Sequence, residues 1–314
     1  TLIERSMRRI ALASILRQGG LVAAATLILL ILLYSTLVPQ QRVVAQSETV
    51  ARAQVAQSVQ TMLDPADSRQ MIPVIVVLRQ QSDLRRVNEP NRAIQLQQLV
   101  QRLQTQADLT QGRIRSLLRT RLSEGRVSGF NTLWIINGVA LTATADVIRE
   151  LASLPEVAEI RLDATIQAPP RLESSAATEP NISLINAPAL WELGIDGEGI
   201  VVASVDTGVD LTHPDLESRW RGGSNSWFDP YQQHTTPADV AGPSSGHGTW
   251  TVGVMVGGDA GRSAIGVAPG AQWIAAKIFN DRGEGTFANI HAAYQWLLDP
   301  ESFEEIGALV THRS

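Results

Sequence analysis

Two side chains of this 314-residue sequence stand in a setting suited to proton transfer. Asp206 ends the apolar run Ile200 to Val205 and is followed by Thr207, Gly208 and Val209. In open α/β sheets, the carboxyl ends of strands are where sites are built. An Asp there can equally serve as a helix cap or a turn residue. His247 stands between Gly246 and Gly248, within Ser245-Gly246-His247-Gly248-Thr249, and opens a helical pattern. Glycines on both sides let other groups approach the imidazole closely. Together the two make sense as orienter and general base: a carboxylate fixes the tautomer of an imidazole and stabilises its charged form. His213 lies in a His-Pro-Asp turn; His234, His291 and His312 have no comparable setting, and none of the four is assigned a role.

The elements that must position this pair read as alternating strands and helices. Ile200–Val205 and Trp273–Phe279 are apolar strands, and Thr249–Val256 and Ala288–Leu298 are helices. Near-continuous apolar strands are expected to be covered on both faces, as in a doubly wound parallel sheet. A different texture precedes residue 163. Ile72–Leu78 is a β-branched run typical of a buried strand. Residues 91–124 place Leu96, Leu99, Leu103, Ala107, Ile114, Leu117 and Leu118 at helical spacing. Thr132–Ile136 and Val139–Thr142 flank Asn137-Gly138, a tight-hairpin signal. Ala145–Ser153 is a short helix and Val157–Leu162 a closing strand. The order β-α-β-β-α-β is that of a split βαβ, ferredoxin-like α+β unit.

Length alone suggests about two domains. The expected division is a signal peptide or signal anchor over 1–45, a polar linker over 46–70, an α+β domain over 71–163, a linker over 164–182 and an α/β segment over 183–314. The uncharged run Leu21–Val38 follows Arg5, Arg8, Arg9 and Arg17 with one acid, Glu4, which is the pattern of an export signal or membrane anchor. Val43-Val44-Ala45 offers a small-residue cleavage option. Everything after Val38 is then expected outside the cytoplasm, secreted or membrane-anchored through 21–38 if uncleaved. The linker at 164–182, with its prolines and Ser/Ala/Thr run, is expected to be open to proteolysis.

Composition narrows the chemistry. With 44% hydrophobic and 18% charged residues the chain is globular, not disordered. Zero cysteines exclude disulfides, thiolate metal sites and thiol nucleophiles. Residues 181–314 carry 6 Lys and Arg against 16 Asp and Glu, while residues 1–180 are net basic by 5. The basic half includes the membrane-targeting stretch, so the split points to two segments meeting each other and no nucleic-acid partner is expected.

Three blocks in register carry a resemblance. Val205-Asp206-Thr207-Gly208-Val209 with His213-Pro214-Asp215-Leu216, then Gly246-His247-Gly248-Thr249, then Gly266-Val267-Ala268-Pro269-Gly270, resemble the subtilisin-like serine peptidase family. The stretch Ile265–Trp273 followed by Lys277 is most similar to its bacillopeptidase F branch. Residues 72–163 resemble the family's inhibitory propeptide, including Ile136-Asn137-Gly138 and Leu154-Pro155-Glu156-Val157. The resemblance implies that Asp206 and His247 are two members of a catalytic triad. It implies that Gly283 and Gly285 belong to the strand edge that pairs with the substrate backbone, where a plain Gly-rich turn would read the same way. Protein or peptide substrates and the chain's own propeptide are the implied partners.

No cofactor is certain. Asp215 resembles a calcium-ligand position in some members, which leaves calcium open, although a turn aspartate fits the local sequence better. Trp250 stands where the family commonly has a second His, and a change of packing under the helix is expected. The family's nucleophile sits in Gly-Thr-Ser-Met. After His247 the serines are Ser263, Ser302 and Ser314, none in that context. The oxyanion Asn is not found either. The expectation is a precursor fragment of an exported serine endopeptidase, C-terminally truncated and inactive by itself. The alternative is a non-catalytic inhibitor or chaperone module with a remnant peptidase segment.

Overall fold

The computed structural model describes residues 53–63, 69–86, 89–170, 180–261 and 263–300. The expectations for 1–45, including the apolar run 21–38, lie outside them. Among the described residues no helix is long and apolar enough to cross a membrane.

The first half is built on one sheet. Its strands are β1 (Gln54–Val55), β2 (Met71–Leu78), β3 (Val127–Leu133), β4 (Gly138–Thr144) and β5 (Val157–Leu162), in the order β1-β5-β2-β4-β3. β1 runs parallel to β5, and the other neighbours are antiparallel. Three helices accompany the sheet: α1 (Gln57–Leu63), α2 (Arg92–Ser123) and α3 (Ala145–Ala152). The order β5-β2-β4-β3 with helices in the two crossovers is the split βαβ arrangement.

Strand pleat explains why β2 is apolar throughout. Ile72, Val74, Val76 and Leu78 face Ile114 and Leu118 of α2 and Val147, Ile148 and Leu151 of α3. Ile75 and Val77 face the other way, with Leu133, Ala140, Ile136 and, from the second half of the chain, Ala288. Both faces are therefore covered, each by a different part of the molecule.

Three local expectations need correction. Residues 46–70 are not simply a linker: β1 adds to the sheet edge and α1 buries Val59 and Leu63 in the main core. Val59 and Leu63 are buried there, with Ala53, Val55 and Ala56 packed against the same core, too short a set to raise a periodic signal. The hairpin strand begins at Val127 and ends at Leu133, with a four-residue turn over Trp134–Asn137. Asn137 alone takes a positive φ, of 39°, and its amide reaches Gln80 O at 2.6 Å. In α2 the buried stripe is Val100, Leu103, Ala107, Gln111, Ile114 and Leu118, and Leu96 is exposed because the first turns of the helix run past the sheet.

The second half holds a parallel sheet, β7 (Val201–Asp206), β9 (Gln272–Lys277) and β8 (Trp227–Phe228), in the order β7-β9-β8. Two short helices, α4 (Pro180–Leu184) and α5 (Ala187–Trp191), precede it. Helix α6 (His247–Val256) covers one face through Val252 and Val256 against Trp273 and Ala275. Helix α7 (Phe287–Leu298) covers the other through Ala293 and Trp296 against Ile274 and Ala276. Helices on both faces of a parallel sheet fulfil the doubly wound expectation locally. Complete covering of both strands does not hold: β7 pairs only with β9 among the described residues, and Val201 and Ala203 are exposed.

Between the halves lies β6 (Thr165–Gln167), which pairs antiparallel with β10 (Glu284–Thr286). The segment expected to be an open linker therefore begins as a docked strand. Side chains add to this junction. Gln295, buried on α7, accepts the Ile135 N–H at 3.2 Å, and Gln104 donates to Asp299 at 2.9 Å.

Asp163, just after β5, accepts the Ala288 N–H at 2.9 Å in the first turn of α7. Burial pushes its carboxyl above the usual carboxylate range, only partly offset by the Ala288 and Phe287 amides, the Thr286 hydroxyl and nearby His291. A carboxyl raised in the folded state holds its proton more tightly there than in the unfolded chain, whose value is about 3.9. Its contribution to stability should therefore grow as pH falls through the raised value, and be complete below the unfolded one. Melting curves of the chain and of Asp163→Asn check this. The stability difference between them should shift in favour of the unsubstituted chain as the pH falls toward the unfolded value of about 3.9. A shift the other way would show that the charged form is the preferred cap.

Candidate active site

Asp206 is the last residue of β7 and His247 the first of α6, so strand end and helix start meet at the carboxyl edge of the sheet. His247 Nδ1 lies 2.8 Å from Asp206 Oδ1. The carboxylate is further held by the Thr207 N–H at 2.6 Å and the Thr251 hydroxyl at 3.3 Å. Both side chains are largely buried, at 18% and 14% exposure, which leaves the imidazole one accessible edge. Such a pair can hold an imidazole in one tautomer and accept a proton at the free nitrogen.

The close meeting needs glycine. A Cβ at Gly248 would stand 2.0 Å from Gly208 O, and Gly208, at φ +118°, would bring one 1.9 Å from Ala238 O. The glycines after both functional residues are thus spaces into which neighbouring backbone fits.

Two further groups hold the site: Asp239, which the sequence does not mark, and Lys277, which it marks only as part of the family pattern. Asp239 sits in the loop before α6. It accepts the Thr207 hydroxyl at 2.7 Å on Oδ1, and the Thr249 N–H and hydroxyl at 2.7 and 2.6 Å on Oδ2. Lys277, paired in register with Asp206 at the end of β9, is fully buried. Its ammonium donates to Thr207 O at 3.2 Å, Phe279 O at 2.6 Å and Val240 O, and lies 3.5 Å from Asp281. Burial lowers its pKa from the ordinary lysine value, with Asp281 the largest opposing influence. Asp239 carries no local pattern that marks it. Beyond the family pattern, the charge of Lys277 inside an apolar strand was the one available signal.

Gly283 and Gly285 flank and occupy β10, whose partner strand is the chain's own β6. Gly285 lies opposite Ile166, and the Ala168 N–H donates to Gly283 O at 2.8 Å. Ile166 and Ala168 pack on the apolar cluster that contains Ile278, Phe279, Ala293 and Trp296. The Ser244 hydroxyl, three residues before His247, donates to Ala168 O at 3.2 Å. Tyr231 ties the edge together by reaching both Ile278 O and Glu284 O. Both readings describe part of the segment: Asn280–Gly283 is a turn closed by the Gly283 N–H to Asn280 O at 2.8 Å, and from Glu284 β10 forms a strand ladder with an extended partner.

Trp250 does not pack beneath α6. It is half exposed, meets the His247 ring edge-on with centroids 6.4 Å apart, and lines a cleft of about 870 Å³ together with Asp210, His213, Asp239 and Ile265. The reason is its position on the outward face of the first helical turn. Asp215 is buried and its carboxylate accepts the Ala260 N–H at 2.6 Å, so it staples the turn to the loop after α6. Among the described residues no group of three or more His, Asp or Glu side chains is gathered as metal ligands.

The segment that carries these features is the one that matches known proteins. Residues 197–308 match the Subtilase family, Peptidase S8. Bacillopeptidase F of Bacillus subtilis is 33% identical over 229 residues, which cover 66% of this chain and 16% of that protein. Subtilisin E of Bacillus subtilis is 31% identical over 166 residues, covering 52% of this chain and 39% of that protein. The solved structure of fervidolysin from Fervidobacterium pennivorans, described as a keratinolytic enzyme related to subtilisin, aligns with TM-score 0.45 and 20% identity over 78% of this chain and 36% of that one. The chain thus spans well under half the length of each. The match over 197–308 makes that segment a subtilase-family segment, similar to the subtilisin-like serine peptidases.

Proposed function

We propose that this chain is part of the precursor of an exported subtilisin-like serine endopeptidase. His247 acts as the general base and Asp206 as its orienter. The observation that carries this reading is the 2.8 Å Asp206–His247 contact beside an edge, Gly283–Thr286, that already holds an extended peptide strand. In the reaction a serine hydroxyl attacks the peptide carbonyl, His247 takes its proton and returns it to the leaving amine, and Asp206 stabilises the imidazolium. Protein or peptide substrates lie along Gly283 and Gly285 by strand addition, with main-chain bonds for affinity and side-chain pockets for selection.

Among the described residues Asp206 is the hydrogen-bond partner of His247, and no serine hydroxyl is bonded to its ring. After His247 no serine stands in a Gly-Thr-Ser-Met context, which supports the reading that the 314-residue chain is inactive by itself. The test is a serine-directed phosphonate: it should leave the 314-residue chain unlabelled and label a longer protein that contains the same site with a nucleophile. Labelling of the shorter chain at any serine, with hydrolysis, would sink this part of the reading. The uncharged run 21–38 behind its arginines supports export. A reporter that works only in the cytoplasm, fused at residue 70, should then be silent.

A second reading, an inhibitor or folding module, is favoured by one specific observation: residues 165–168 lie along Gly283–Thr286, the edge proposed here for substrate. The main core of the first half draws only on residues 53–162, so that half has a core of its own. It functions as a propeptide, holding β6 in place as a substrate-like strand at high effective concentration. Residues 51–170 added to mature enzyme should inhibit competitively with substrate. Ile166→Asp should weaken that inhibition by roughly 10- to 100-fold, the value of burying one large aliphatic side chain. Equal inhibition by both would mean that β6 does not fill the edge in solution.

A further inference from the structure

Helix α6 begins without a cap of its own. Gly246, at its N-cap position, has no side chain to accept the free N–H groups of the first turn. Asp239 supplies the missing acceptor from a separate loop, taking the Thr249 N–H at 2.7 Å and the Thr249 hydroxyl at 2.6 Å on one oxygen. Its other oxygen takes the Thr207 hydroxyl at 2.7 Å, and that hydroxyl in turn accepts the Gly248 N–H at 2.8 Å. The result is a closed ring: Asp206 is bonded along the chain to Thr207, Thr207 to Asp239, Asp239 to Thr249, and Thr249 through Gly248 back to His247. The His247–Asp206 contact closes it.

We propose that Asp239 is a positioning residue that fixes the separation of Asp206 and His247 by clamping the turn after β7 to the first turn of α6. This rests on the reading of Asp206 and His247 as the catalytic pair. The argument is one of degrees of freedom. The strand end and the helix start are joined by two bonds, Gly248 N–H to the Thr207 hydroxyl at 2.8 Å and Asp210 N–H to the Thr249 hydroxyl at 2.9 Å. Asp239 accepts the protons of both hydroxyls, one on each oxygen, so it orients the lone pairs on which both bonds depend and resists sliding from both sides. The loop that carries Asp239 is itself held, since Lys277 donates to the neighbouring Val240 O. Hydrogen bonds to a charged acceptor are the strong ones, and a negative group at a helix N-terminus adds to them. Asp239 is not bonded to the His247 ring; it acts through Thr207 and Thr249.

The His247 Nδ1 proton reports on this directly, and it can be followed in the 314-residue chain without any activity. In the unsubstituted chain it should give a low-field nitrogen-bound proton resonance in slow exchange with water. Asp206→Asn should abolish it. Asp239→Asn should speed its exchange by about 10- to 100-fold, the range for losing bonds to a charged group. Thr207→Val and Thr249→Val, each removing one arm of the clamp, should each give part of that effect, and the three should be strongly non-additive in combination.

If Asp239→Asn folds and leaves the exchange rate unchanged while lowering the melting temperature, Asp239 is merely a helix cap and the proposal is overturned. If Asp239→Asn does not fold, the two threonine variants decide it, since unchanged exchange in both overturns it equally. Persistence of the resonance in Asp206→Asn would instead overturn the pairing of Asp206 with His247, and with it the functional reading. In a longer, active protein Asp239→Asn should lower kcat about 10- to 100-fold with little change in KM, because the substrate edge is not part of the ring. A change confined to KM would contradict the proposal.

Discussion

Replacing His247 by Ala, in a protein that combines this site with a serine nucleophile, is expected to remove nearly all peptide hydrolysis, and Asp206→Asn to lower kcat by about 10⁴-fold. The expectation follows from the contact itself. Asp206 Oδ1 accepts from the Nδ1 side of the ring at 2.8 Å, and its other bonds come from donors, the Thr207 N–H and the Thr251 hydroxyl. An Asn at 206 can keep the same shape but presents an amide group where a carboxylate stood. The ring is then free to take the tautomer with its proton on the wrong nitrogen, and the charge formed during proton transfer has no counter-ion. The measurement is kcat/KM on a peptide substrate, with enzyme concentration taken from active-site titration. A loss below about tenfold for Asp206→Asn would show that the carboxylate does not orient the base. Unchanged circular dichroism is needed alongside, since both residues sit where a strand and a helix meet.

The largest effect on stability is expected at Lys277. Lys277→Met keeps an unbranched side chain of similar length and removes the ammonium. The carbonyls of Thr207, Val240 and Phe279 then lose their shared donor in a fully buried place. Each orphaned acceptor costs about 1–3 kcal/mol. Part of this is returned because the ammonium no longer has to be desolvated, an effect that can equal the gain from pairing. The net expectation is a loss of about 3 kcal/mol, in the range known for breaking a buried charged network. Denaturant unfolding of the chain with and without the substitution measures it. A loss under about 1 kcal/mol would mean that the loops after β7 and β9 and the loop before α6 are held by other contacts. The three carbonyls come from the turn after Asp206, the residue after Asp239 and the approach to β10, so the substitution should also loosen the catalytic pair and the peptide edge together.

Much of the first half was legible because its signals are local. The β-branched run at β2 and the three-and-four spacing in α2 each follow from one element burying one face or two. The expected limits of α2, 91–124, lie one residue outside Arg92–Ser123 at each end; in the structure Asn91 caps the helix, accepting from Ala93 N at 3.0 Å and Ile94 N at 3.2 Å. What local signals missed was β1 and α1, where Val59 and Leu63, flanked by Ala53, Val55 and Ala56, enter the core from a polar stretch. The hairpin was displaced for a related reason: Asn137 and Gly138 were taken as the two turn residues, yet Gly138 begins β4. A Cβ there would lie 2.5 Å from Val76 O, so it is glycine because another strand passes close, and that cannot be seen along the chain.

The sequence by itself determined the residue types that can do the chemistry, the elements that carry them, and the family pattern in which they stand: a carboxylate closing a strand, an imidazole opening a helix between glycines. These are one-dimensional facts, set by periodicity and by the backbone freedom of particular residues. Tertiary structure decided what those residues touch. It brought Asp239 to both Thr207 and Thr249, placed the Lys277 ammonium among three carbonyls, and turned Trp250 toward the His247 ring. It also laid β6 on β10, so that the chain's own strand occupies the Gly283–Gly285 edge. Each of these joins segments that lie far apart along the chain, through single hydrogen bonds or the fit of one side chain. Such contacts leave no period or composition behind; they exist only once the packing of β7, α6, β9 and α7 has brought the segments within reach.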